Sequence, residues 1–236
     1  GADLRSAEAF DQIAAGFLRW YDSHPPDIGN QTRAVLGHPS VAEERGALRR
    51  ASNPGDLPLA EERGTSVSKP GHLADLMTQV AAHLHAQTGH TAGNGSLMRT
   101  APVALAHLGD PAAIVEAAAA ISALTHNDPL AGQASALWSC AISHAVLEGE
   151  LDVWVGLPFL ETEAQDFWTA RIDEAEAHEP ATFGRNGYVV TALQAAWSAI
   201  HHTPVLVDLP CRHLQGALAT AIGIGHGTVA AIAGGL

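Results

Sequence analysis

The chain has 236 residues, enough for a sizeable core in one domain. Hydrophobic residues make up 47% of the chain but aromatic residues only 5%, so much of the apolar fraction is alanine, the strongest helix former. Twenty-five acidic residues against twelve Lys and Arg give a formal net charge of −13, which argues against a nucleic-acid partner.

The first third of the chain begins with two predicted helices and then changes character. Apolar residues recur at helical spacing over 6–23, with Ser6 as the expected N-cap, and a short helix is predicted over 30–36. The stretch 37–71 is rich in Gly, Pro, Ser and charge. We predict a polar, solvent-exposed excursion there, with room for one short helix.

Helical patterns return after residue 71 and continue to the end. Nothing in this part alternates apolar and polar residues for long enough to form a convincing strand. The fold class predicted from these patterns is all-α, in a single domain. The expected helices are 72–88, 98–108, 111–124, 130–148, 161–178, 187–201, 209–222 and 228 onward.

Few features of the sequence indicate the cellular compartment of the protein. No apolar run reaches the length of a membrane span, and no basic-then-apolar signal sequence is present, so we expect a cytoplasmic protein without a membrane partner. Cys140 and Cys211 both lie in apolar helical patterns and are predicted to be buried free thiols.

The segment 93–99, Gly-Asn-Gly-Ser-Leu-Met-Arg, is the most informative turn. Its two glycines permit positive φ and a close approach of the backbone to a ligand. Ser96 is expected to cap the helix that follows, whose free N–H groups could face an anion. Arg99 places a positive charge in the first turn, where it suits a nearby anion better than it suits the helix dipole. A plain capping turn explains the same residues equally well.

Two further turns carry polar side chains between helices. His126 lies in Thr-His-Asn-Asp-Pro and could donate to a ligand hydroxyl, although a loop histidine is more often structural. Asp128 and Pro129 are expected to be the N-cap and the first residue of the helix that follows. Tyr188 opens a helix and could stack on a flat ring, although ordinary packing is the commoner role.

A glycine-rich segment near the end is predicted to be a loop. Glycines stand at 223, 225 and 227, and Thr228 is the expected N-cap of a last helix.

The fourteen histidines include no i, i+4 pair on one helical face, so a zinc site is not expected.

Together these turns resemble the ADP-ribosylglycohydrolase family, which includes the dinitrogenase-reductase-activating glycohydrolases. The matches follow one another in the family's order along 17–236. They are Asp27-Ile28-Gly29 with Thr32 for D-I-G-x-x-T, GNGSLMRTAPVAL for the substrate loop, LTHNDP for T-H-x-x-P, GYVVTAL for G-Y-V-x-x-x-L, and TVAAIAGGL for the helix after the last metal motif.

The resemblance implies an orthogonal all-α bundle with a two-metal site for magnesium or manganese. Family members hydrolyse the bond between ADP-ribose and a protein side chain or a related acceptor, so ADP-ribose or an ADP-ribosylated protein is the implied partner. Carried over to this chain, the substrate-binding residues would be Gly93, Asn94, Gly95 and Ser96 at the diphosphate and ribose, His126 near the ribose, and Tyr188 at the adenine. Met98 and Arg99 are expected to support the loop rather than to touch substrate.

The departures from the family pattern concern the metal ligands. The last metal motif, G-G-D-T-D-T, aligns with residues 223–228, where Gly225 and Gly227 replace both aspartates and Thr228 is the one retained ligand. The first motif, T-D-D-T, is expected upstream of the point where the sequence begins, and the family's segment after the last glycines is also missing, so we expect a domain that is incomplete at both ends. Because Mg²⁺ and Mn²⁺ need hard oxygen ligands, we expect that this chain does not bind the metals, and no residue is assigned a catalytic role.

Three interpretations therefore remain open from the sequence. The chain is a fragment or an inactive relative of a metal-dependent hydrolase, or a non-catalytic module that binds ADP-ribose, or a structural remnant that binds nothing.

Overall fold

The computed structural model describes residues 3–52, 71–209 and 211–236. This part of the chain folds into ten α-helices and three short 3₁₀ helices, with no named strand. The α-helices are α1 (Ala7–Asp22), α2 (Asn30–Leu36), α3 (Pro39–Ser52), α4 (His72–Thr88), α5 (Ala101–Ala106), α6 (Pro111–Ala123), α7 (Pro129–Glu148), α8 (Thr162–Ala177), α9 (Val189–His201) and α10 (Cys211–Ala233). The 3₁₀ helices are Leu97–Arg99, Trp154–Phe159 and Pro180–Phe183. The all-α prediction is confirmed.

Several helices begin where polar caps in the sequence place them. The Ser6 side chain accepts from Ala9 N, and the Asp128 side chain accepts from Leu130 N with Pro129 at the start of α7. Asp11 of α1 reaches across to the start of α4, where its carboxylate accepts from Ala74 N at 2.9 Å. A carboxylate at a helix N-terminus also suits the helix dipole, so this contact fixes α4 against α1.

The apolar side chains form two main cores. The larger core lies among α7, α8, α9 and α10 and buries Trp138 and Trp168. The indole of Trp138 donates to Ile232 O at 2.9 Å. The smaller core joins α1, α2, α3 and α4 around Leu36 and Met77. The turns that carry the sequence motifs lie between these two cores.

The prediction of a loop at 223–227 is wrong, because α10 runs unbroken from Cys211 to Ala233. Thr228 is therefore inside a helix rather than at its N-cap. Glycine in a helix interior costs about 0.5–1 kcal/mol relative to alanine. Burial of the apolar face of α10, including Ala221, Val229 and Ile232, outweighs that local preference.

Other expectations need smaller corrections. The stretch 37–71 contains α3, a helix of 14 residues whose Val41 is fully buried in the smaller core; residues 53–70 lie outside the described part. Cys140 is buried as predicted, but Cys211 is exposed at the first residue of α10. Within the described residues, no helix combines the length and the hydropathy that crossing a membrane requires.

Candidate functional site

A cavity of about 670 Å³ opens between the two cores, and we call it the main cavity. Its volume is in the range typical of small-molecule sites. The walls come from the end of α1, the turn into α2, the 93–99 turn, the turn before α7, and α10. They comprise Phe17, Trp20, Asp27, Ile28, Gly29, Asn30, Gln31, Thr32, Gly93, Asn94, Gly95, Met98, Arg99, His126, Gly187 and Thr228.

The glycine turn at 93–95 is tied to the segment before α9. Gly93 and Tyr188 form an isolated antiparallel bridge, in which Asn94 N donates to Gly187 O at 3.2 Å and Val189 N donates to Ala92 O at 2.9 Å. Asn94 Nδ2 also donates to Asn186 O at 2.6 Å. These bonds hold two connecting segments as one rigid wall, which orders the site before any ligand arrives.

Arg99 provides a positive charge at the wall of the main cavity. Its guanidinium stacks on Phe17 at 4.4 Å from the ring centroid, and its Nη2 donates to Thr125 Oγ1 at 2.6 Å. Burial lowers the pKa of Arg99 to about 10, so the group stays charged at neutral pH. None of the described carboxylates forms an ion pair with it, and its buried Nε has no hydrogen-bond partner there. An anionic ligand would supply the missing counter-charge.

His126 lies directly behind the two glycines. It is only 4% exposed, and a Cβ on Gly95 would be 2.9 Å from its Cε1 and 3.0 Å from its Nε2. Glycine at position 95 is therefore required for the ring to reach the cavity surface. Burial, together with the charge of Arg99, lowers the pKa of His126 to about 3.

This depressed pKa predicts a pH dependence of stability. Between pH 6.5 and about 3 the unfolded chain binds a proton at His126 while the folded chain does not. The free energy of unfolding should therefore fall as the pH drops through this window, by up to roughly 1.4 kcal/mol per pH unit from this group. Denaturant unfolding of the native chain and of His126→Gln between pH 4 and 8 would measure the difference. Equal pH slopes for the two proteins would contradict this assignment.

Most of the residues predicted for substrate binding meet in the main cavity. Gly93, Asn94, Gly95 and His126 line it, and so does Thr228, which was predicted as a metal ligand.

Two predicted residues lie elsewhere. Ser96 is buried behind the turn, where it accepts from the Ser135 hydroxyl at 3.4 Å and makes no capping bond, because a 3₁₀ turn follows it. Tyr188 is 43% exposed and lines a neighbouring cavity of about 470 Å³, the side cavity, with Asp128 and His90 among its walls. The two cavities share Gln31, Gly93 and Gly187.

Several residues of the main cavity carry little or no signal in the sequence. Phe17 and Trp20 belong to the apolar pattern of α1 and carry no motif signal, and Gln31 falls at an unspecified position of D-I-G-x-x-T. Arg99 and Met98 were expected only to support the loop, but both line the main cavity. The unfavourable position of Arg99 relative to the helix dipole was the one available signal for its role.

The described residues do not fit a two-metal site. Gly225 is buried in α10, and Gly227 is exposed on it, so neither offers an oxygen from a side chain. Among the residues lining the main cavity, Asp27 is the one carboxylate. In the described ranges no three His, Cys, Asp or Glu side chains cluster closely enough to hold an ion. Divalent magnesium or manganese would need several hard oxygen ligands.

The fold and the cavity define an all-α protein with a cavity lined mainly by helix-to-helix turns. The model of the ADP-ribosylglycohydrolase family matches residues 2–236, and the chain belongs to that family. A search of the curated proteins finds no match.

Proposed function

We propose that this chain binds the ADP-ribosyl group, either as free ADP-ribose or on an ADP-ribosylated protein. Membership of the family supports this ligand class in general. The observation that carries the proposal is the charge of Arg99, which faces the main cavity without a counter-ion among the described carboxylates. A diphosphate is an anion that would neutralise it.

The shape of the site supports a ligand in two parts. The main and side cavities adjoin at Gln31, Gly93 and Gly187, which line both of them. Tyr188 offers an exposed ring at the side cavity, which suits the flat base of a nucleotide. We propose that the adenine lies against Tyr188 and that the diphosphate and the ribose occupy the main cavity.

Hydrolysis is the part of the family's activity that these residues do not support. In the family a pair of metal ions assists cleavage of the glycosidic bond, and here Gly225 and Gly227 stand where it has aspartates. We therefore propose that the chain binds ADP-ribose without turning it over. Metal-dependent hydrolysis is the second candidate, favoured by the family match and by the position of Thr228 at the main cavity.

Calorimetry with ADP-ribose, with and without Mg²⁺ or Mn²⁺, separates the two candidates. We expect binding that is indifferent to metal and no release of ADP-ribose from an ADP-ribosylated protein. Arg99→Met should weaken the affinity roughly tenfold to a hundredfold, since a hydrogen-bonded charge contributes about 1.5–3 kcal/mol. Binding or turnover that requires metal would support the hydrolase instead, and the absence of binding in every condition would contradict the proposal.

A further inference from the structure

Hydrogen bonds connect Arg99 to the main cavity through Thr125 and His126. Arg99 Nη2 lies 2.6 Å from Thr125 Oγ1, and the same oxygen lies 2.8 Å from His126 Nδ1. The second ring nitrogen, Nε2, faces the backbone at Gly93 and Gly95. The series of contacts therefore runs from a fixed charge to the cavity surface.

The direction of each bond follows from what each group can donate. A guanidinium only donates, so Thr125 Oγ1 accepts from Arg99. The hydroxyl keeps one hydrogen of its own, and the hydrogen bonds of the described residues offer it one acceptor, His126 Nδ1. Because Thr125 is fully buried, an unpaired hydroxyl hydrogen there would be unfavourable. Nδ1 therefore accepts, and the proton of a neutral ring must sit on Nε2.

We propose that Arg99 and Thr125 fix His126 in its neutral Nε2–H tautomer, so that the ring donates a hydrogen bond to a hydroxyl oxygen of a ligand in the main cavity. Arg99 and Thr125 act here as positioning residues, and His126 contacts the ligand. The identity of that ligand rests on the function proposed above, whereas the tautomer is a property of the chain without ligand.

The surroundings of Gly93 indicate why a hydroxyl is the favoured group. A Cβ on Gly93 would lie 3.3 Å from His126 Nε2 and 3.5 Å from Gln31 Oε1. Gln31 is oriented by its Nε2, which donates to Thr125 O at 2.9 Å and so leaves Oε1 as an acceptor on the cavity side. Both atoms therefore lie on the same side of Gly93, where a ligand hydroxyl within reach of both can accept from His126 and donate to Gln31. A sugar is the part of the proposed ligand that carries such groups.

Burial, together with the charge of Arg99, keeps the ring neutral. A protonated imidazole would donate at both nitrogens and would lose the hydrogen bond from the Thr125 hydroxyl. The depressed pKa of His126 agrees with this arrangement. The ring is therefore expected to present the same single donor across the neutral pH range.

The tautomer can be measured directly on the full chain without ligand. Long-range ¹H–¹⁵N correlation spectra of ¹⁵N-histidine-labelled protein distinguish protonated from unprotonated ring nitrogens, and His126→Gln identifies the signals of His126. We expect a protonated Nε2 and an unprotonated Nδ1. A protonated Nδ1, or an even mixture of tautomers, would overturn the proposal.

Substitutions at Thr125 test the positioning role. Thr125→Val removes the hydroxyl and should give a mixture of tautomers, whereas Thr125→Ser keeps the hydroxyl and should restore the Nε2–H form. A role in packing alone would lower the melting temperature of Thr125→Val but leave a pure Nε2–H tautomer, and that result would overturn the proposal.

Binding of ADP-ribose supplies an independent readout. Thr125→Val should weaken the affinity roughly tenfold relative to Thr125→Ser, because one hydrogen-bond donor is no longer oriented. Failure of the unsubstituted chain to bind ADP-ribose would remove the proposed function but leave the tautomer result in place. The expected tautomer with no difference in affinity between the two variants would overturn the ligand contact assigned to His126.

Discussion

Gly95→Ala is expected to weaken ADP-ribose binding by about tenfold, because a displaced His126 would lose its hydrogen bond to the ligand, and to lower the free energy of unfolding by about 1–3 kcal/mol through overpacking. The new Cβ would lie 2.9 Å from His126 Cε1, closer than such atoms pack. The ring cannot easily give way, because it is buried and bonded to Thr125. Either the ring or the 93–95 turn must shift, and both line the main cavity.

Gly184→Ala is the matched control for this substitution. Its Cβ would meet only Ala181 O, at an ordinary distance of 3.6 Å, and Gly184 lies outside the residues that line the main cavity. Calorimetry should give the control the same dissociation constant as the native chain within about threefold, a margin of less than 1 kcal/mol. If Gly95→Ala bound as well as the control, the contact between the turn and His126 would not matter for binding.

Gly225→Ala is expected to lower the free energy of unfolding by about 1–3 kcal/mol, and Gly225→Asp by more. The added Cβ would lie 2.7 Å from Val229 Cβ, and closer still to Val229 Cγ2 and to Asn186 Nδ2. The space that a family aspartate would need is thus already filled by other side chains. Restoring the carboxylate at 225 requires Asn186 and Val229 to move.

Gly227→Ala, on the same helix, is expected to change the free energy of unfolding in the opposite direction. Nothing lies within 4 Å of the position of its Cβ, and the residue is exposed inside α10. The substitution should raise the free energy of unfolding by about 0.5–1 kcal/mol through helix propensity. Denaturant unfolding of both variants measures the contrast. Equal effects from the two substitutions would show that packing at Gly225 is not the reason for its glycine.

The sequence predicted the parts of this fold that depend on local chemistry. Ser6 and Asp128 mark helix starts because their side chains satisfy free N–H groups, and the helical spacing of α1 follows from one buried face. The glycines at 223, 225 and 227 led to a wrong prediction for the same reason, since their local preference for a turn says nothing of the packing that keeps α10 continuous.

The candidate site was only partly accessible to the same reasoning. The turn at 93–95 and His126 stand out because glycine and histidine have chemical uses that spacing can reveal. Phe17 and Gln31 do not stand out, because their part in the main cavity arises when α1 and α2 pack beside the turn. Arg99 and Thr125, the first step of the link to His126, are 26 positions apart in the sequence, so only the folded chain brings them together.

The position of the main cavity between two cores gives it a mechanical role. Leu97 belongs to the larger core, whereas Phe17 packs on the smaller one, and Arg99 joins the two by stacking on Phe17. A ligand bound in the main cavity would pack against both cores at once. Its binding energy would then oppose the independent melting of either core, so an occupied chain would unfold in one cooperative step at a higher temperature.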